Sequence, residues 1–102
     1  MVSLLAWKPF PKNSLRGFAT VRLGKSLSVK DVAVHCSHGR RWAQLPAKPK
    51  VGADGMAMKN EAGKIQYVPI LEWTNREAAD AFSEAVIEAV EREHPGATTA
   101  EA

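Results

Sequence analysis

The chain has one cysteine, Cys36, and three histidines among its 102 residues. It can form no intrachain disulfide and no cysteine-based zinc site, which suits a reducing cytoplasm. No apolar run approaches membrane-spanning length, so no bilayer-crossing helix is expected. The apolar patch Leu4, Leu5, Ala6 and Trp7 has no cationic region before it and is too short for a secretory core, so the segment reads as mature sequence. Phosphate-cradling glycine loops are also missing, because Gly52 and Gly55 are not followed by Lys-Ser/Thr and a helix. His35 and His38 straddle a strand end and a turn without a matching acidic or cysteine set, and a structural metal site needs about four placed ligands. Ser37 and His38 are neighbours, and neighbours on a strand point to opposite faces. No catalysis, metal or cofactor is expected.

Charge is plentiful but unevenly placed. Residues 1 to 70 carry twelve lysines and arginines against three carboxylates, whereas residues 71 to 102 carry two arginines against eight carboxylates. A net charge of +3 therefore conceals a basic body and an acidic end. Such asymmetry fits a face for nucleic acid, and equally fits complementarity between a sheet and a helix.

The acidic end is the clearest element. Thr74-Asn75-Arg76-Glu77 has the form of a capping box and predicts a helix from about Asn75. Ala78, Phe82, Ala85, Val86, Ala89 and Val90 recur at helical spacing as its apolar stripe. Trp73, just before the cap, is expected to pack against the first turns. His94-Pro95-Gly96 ends the helix, leaving residues 96–102 as a flexible tail after a single domain spanning 1–95. Ile87 lies among polar residues on the helical wheel. Together with the short chain, this leads to the expectation of a homodimer through Phe82, Val86, Ile87 and Val90.

The basic part reads as strands. In GFATVRLG, Ala19, Val21 and Leu23 alternate with Phe18, Thr20 and Arg22; in SVKDVAVHC, Val32, Val34 and Cys36 alternate with Asp31, Ala33 and His35. Cys36 is accordingly expected as a small core residue. Ser37-His38-Gly39-Arg40 supplies a turn and RRWAQLP returns, with Arg40, Trp42 and Gln44 on one face and Arg41, Ala43 and Leu45 on the other. LLAWKPFPKN contains two prolines and is not expected to form one simple ladder strand. Residues 46 to 63 read as a long mobile connection, and KIQYVPI as a last short strand whose Pro69 lies at an edge or at the strand's end. The fold class is α+β: a small antiparallel sheet followed by one C-terminal amphipathic helix, dimeric.

If the outward faces coincide, they combine cations that neutralise phosphates with rings on which unpaired bases stack. Arg16, Arg22, Lys25, Arg40, Arg41, Lys48 and Lys50 are the candidate phosphate contacts, and Trp42 and Tyr67 the candidate stacking rings. Trp42 could equally cover the core, and Phe18 reads first as a core residue. The rival class is a protein-interaction module that docks through the acidic helix or an edge strand. A further rival is a small-molecule regulator with a pocket beneath the long connection.

VKDVAVHCSHGRRWAQLPAKP, followed by GKIQYVPI and the closing helix NREAADAFSEAVIEAV, resembles the SpoVG family of small bacterial regulatory proteins. The resemblance covers residues 17 to 93. It implies an antiparallel sheet with a helix, a homodimer, and sequence-flexible binding of DNA and RNA in the cytoplasm, with the family's basic segment falling on Lys48 and Lys50. The small single-stranded-DNA-binding coactivators share the sheet-plus-helix architecture. The implied role is transcription regulation without catalysis.

Overall fold

The computed structural model describes residues 2–99. Four strands form an antiparallel meander in the order β1-β2-β3-β4: β1 Val2–Lys12, β2 Leu15–Leu23, β3 Leu27–Ser37 and β4 Arg40–Gln44. A second, two-stranded sheet pairs β5 Ala47–Pro49 with β6 Tyr67–Pro69, and the helix α1 Arg76–Glu93 closes the chain. No helix among the described residues is long and apolar enough to cross a membrane.

The alternation expected for β2 and β3 sets the core. Ala19, Val21, Val29, Val32 and Val34 are buried on one sheet face beneath Phe82, Val86, Ile87, Ala89 and Val90 of α1. Val29 and Val32 both point inward although they are three residues apart. Across the ladder Val21 faces Val29 and Ala19 faces Val32, so β3 carries an extra residue here, with Asp31 at φ 59°. Aspartate tolerates this left-handed geometry better than most side chains. The β3–β4 connection is a two-residue turn, His38 at φ 51° and Gly39 at φ 77°. Both are positive, as in the hairpin turn whose twist matches the strands it joins.

Several expectations change. LLAWKPFPKN does form a ladder strand, with shifts between Leu4 and Ala6 and between Pro9 and Lys12. Its prolines are tolerated because β1 is an edge strand, where one row of N–H groups has no partner to lose. The helix cap is Asn75, not Thr74: the Asn75 side chain accepts from the Ala78 N–H at 2.8 Å. Asparagine is at least as good a cap as threonine, and its backbone is already extended here. Trp73 still meets the helix, its ring 5.3 Å from that of Phe82.

The four residues expected at a dimer contact, Phe82, Val86, Ile87 and Val90, are all buried within one protomer. Ile87 is 7% exposed. The helix touches β1, β2 and β4, and a sheet of that width covers a stripe broader than one apolar row. The wet isoleucine that pointed to a second helix is therefore absent.

The C-terminal segment up to residue 99 is not loose. Glu91 accepts from the Gly96 N–H at 2.9 Å, the Thr98 N–H at 2.8 Å and the Thr98 hydroxyl at 2.6 Å, and Thr98 is fully buried. Burial opposes ionisation of the Glu91 carboxyl. The hydrogen bonds from Thr98 and Gly96, with Arg41 nearby, outweigh it and hold the group below its ordinary value. The rest of the expected tail, residues 100–102, lies outside the described residues.

The connection between β4 and α1 is an arm with its own hydrogen bonds. Lys50 N–H donates to the Gln66 carbonyl (2.8 Å), Gln66 N–H to Met58 (2.9 Å) and Met58 N–H back to Lys50 (2.7 Å), a closed cycle of three strand-like segments. KIQYVPI contributes β6, which ends at Pro69 as expected and pairs with β5 inside this arm.

Candidate nucleic-acid interface

The helix covers one face of the meander, and the ladder registers identify what occupies the other. Lys8 faces Phe18, Phe18 faces Ala33 and Ala33 faces Gln44, forming a row that crosses all four strands. On one side of it lie His35 opposite Trp42 and Ser37 opposite Arg40; on the other, Ser3, Arg22 and Ser28. The outward faces of β2 and β4 therefore coincide. Phe10 joins them, its ring centroid 6.1 Å from that of Phe18.

At the β4 side of this face lies a ring stack. The rings of His35 and Trp42 lie 5.2 Å apart and within 7° of parallel. Ser14 Oγ is 3.0 Å from His35 Nδ1, and the Gln44 side chain lies close to the same imidazole. Burial lowers the His35 pKa below 6.5; the Gln44 side chain opposes the shift and the positive charge of Arg16 adds to it. The imidazole is held by Ser14 and stacks in parallel with the Trp42 indole.

The sign of the His35 shift gives a stability test. The folded state binds this proton less readily than the unfolded chain, so the contribution of His35 is complete above about pH 6.5 and is lost as pH falls through the lower folded value. Between neutral pH and about pH 5, the thermal midpoint of the wild type should fall more steeply than that of His35→Asn. Parallel curves would show that His35 titrates alike in both states.

The expected phosphate contacts separate into groups. Arg22 and Arg40 lie on the open face and are exposed, and Lys25 is exposed in the turn just beyond Arg22. Arg16 does not belong with them: it is buried, and donates through Nε to the Ser14 carbonyl (3.3 Å) and through Nη2 to the Asn13 carbonyl. Its guanidinium ties down the β1–β2 turn. Arg41 projects to the helix side, where Nη1 donates to Thr98 Oγ1 at 3.2 Å. Lys48 and Lys50 lie on the arm, with Lys48 opposite Val68; Tyr67, opposite Pro49, is on the arm's other face. Neither the two lysines nor Tyr67 shares the sheet surface with Trp42.

Lys8, Phe10, Ser14 and His35 belong to this face but were not among the candidates. The available signal was the alternation of Lys8 and Phe10 with Trp7 and Pro9, hidden by the assumption that two prolines exclude a strand. Phe18 lies on the open face and not in the core. A hollow of about 600 Å³ lies on the helix side, where Arg41 and Arg92 are set among Glu84, Glu88 and Glu91, so the cations there are offset by carboxylates. Among the described residues no group of three or more His, Cys, Asp or Glu side chains converges on a metal position. Compared with known proteins, the chain matches no family model, no curated protein and no solved structure.

Proposed function

We propose that the protein is a non-catalytic, cytoplasmic nucleic-acid-binding regulator that holds single-stranded DNA or RNA across the helix-free sheet face. The observation that carries this reading is the pinned His35–Trp42 stack, flanked on the same face by Arg40, Lys8, Phe10 and Phe18. Bases stack on flat rings whatever their sequence, and cations spaced along the strands neutralise the backbone between them. The resemblance of residues 17 to 93 to the SpoVG family points the same way. Edge docking of a partner protein finds little support, since β1 carries prolines and the Ala43 N–H of β4 already donates to Ser83 Oγ at 2.8 Å.

Titration with short single-stranded oligonucleotides at two salt concentrations tests the proposal. Trp42→Ala should weaken binding by about 1–3 kcal/mol with little change in salt dependence. Arg40→Ala should lower the slope of log affinity against log salt by about 0.7. Arg41→Ala should leave that slope unchanged, because Arg41 faces the helix. Normal binding by a folded Trp42→Ala protein sinks the reading, as does an Arg41 effect equal to that of Arg40.

A further inference from the structure

Gln44 ends the open face and also forms a wall of a cleft of about 370 Å³ at the root of the arm. Tyr67 and Pro69 of the arm line it together with Glu72 and Trp73. Its size falls at the lower end of the ~300–1,000 Å³ of small-ligand sites. Tyr67 is 61% exposed and Trp73 38% exposed, so two rings border the cleft with much of their surface in water. Large exposed rings gathered at one concavity mark a binding surface.

The polar groups narrow the ligand. Glu72 is the only ionisable group with a carboxylate at the cleft, and Lys48, on the reverse face of β5, does not line it. A carboxylate without a neighbouring lysine repels phosphate, so the part of a strand that enters is a base edge rich in donors. Guanine is the base whose pairing edge presents two adjacent N–H donors, at N1 and N2, matched to the two oxygens of one carboxylate. Gln44, which also lines the cleft, contributes the complementary half: its side-chain NH₂ can donate to a base acceptor such as O6.

We propose that this cleft receives one unpaired guanine of the bound strand, stacked against Tyr67 and Trp73 and read by Glu72 and Gln44. The proposal rests on the single-strand reading and gives that otherwise sequence-tolerant surface a base preference. It is tested by titrating short thymidine oligonucleotides that carry one central guanine, inosine or adenine. Inosine keeps O6 and N1–H but lacks the 2-amino group. The guanine strand should bind at least about fivefold more tightly than the inosine or adenine strands. Glu72→Gln should abolish the difference, and Tyr67→Ala should weaken the guanine strand alone. Equal affinity for all strands, or a guanine preference that survives in Glu72→Gln, overturns the pocket without touching the sheet face.

A second measurement separates the two readings. Adding free guanosine should shift the indole N–H resonance of Trp73, and inosine should shift it less at the same concentration. This holds whether or not Trp42 stacks bases. Absence of a Trp73 shift with guanosine rejects the pocket directly, and loss of thymidine-strand binding in Trp42→Ala with Trp73 still responding leaves the pocket standing as a distinct site.

Discussion

Phe82→Ala should lower the free energy of unfolding by about 3–5 kcal/mol, the range for emptying a buried phenylalanine site. Phe82 is 5% exposed and sits where α1 first meets the sheet, its ring also in contact with Trp73. The loss combines lost transfer energy with a cavity that cannot close, because the valines below are fixed by ladder hydrogen bonds. Domains of this size have only about 5–15 kcal/mol in total. The variant should therefore be largely unfolded in mild denaturant, with a urea midpoint well below the wild type. Phe82→Leu, which keeps most of the volume, should cost less than about 1.5 kcal/mol. If both variants unfold at the wild-type midpoint, α1 is not packed on the sheet through this face.

Gly17→Ala should be nearly as damaging for the opposite reason. Gly17 is buried, and a Cβ there would lie 2.6 Å from the Lys8 carbonyl oxygen and 2.7 Å from Cζ2 and Cη2 of Trp7. The Trp7 ring could shift, but the carbonyl belongs to the backbone of the paired strand, so β1 itself must move. Overpacking of this kind costs about 1–3 kcal/mol, and the backbone clash puts Gly17 at the upper end. Trp7→Leu in the same chain should recover part of the loss, since the two positions touch and their effects are not additive. A Gly17→Ala protein with wild-type stability would show that β1 does not pair with β2 in this register.

Strict alternation made β2, β3 and the face assignment of β4 readable, since a period of two fixes which side chains share a surface. The same rule placed Arg40 and Trp42 together and sent Arg41 to the other side. It could not foresee the bulge at Asp31, because one extra residue changes the face of everything after it while leaving the local pattern apolar. Nor could it separate Arg16 from Arg22. Both are arginines on one strand, and only the fold of the β1–β2 turn shows that Arg16 meets backbone carbonyls. The N-terminal strand was hidden by its prolines, which are prohibitive in a central strand and harmless at an edge. Ile87 falls outside the stripe that helical spacing predicts, yet it is buried because a four-stranded sheet offers a floor broader than one apolar row. The arm was hidden because its order comes from backbone bonds between segments distant in sequence, which composition does not encode.

That arm begins and ends at nearly the same place. Ala47 pairs with Pro69, and the Ile70 N–H reaches the Pro46 carbonyl at 3.5 Å, so the chain leaves the body and re-enters it at one point. To the sheet and helix, the whole excursion is equivalent to a single short turn. Its length is therefore a free variable of the architecture: residues can be gained or lost between Pro49 and Tyr67 without altering the distance that β4 and α1 must span. Natural variation in this protein should gather there as insertions and deletions, while the meander keeps a constant length.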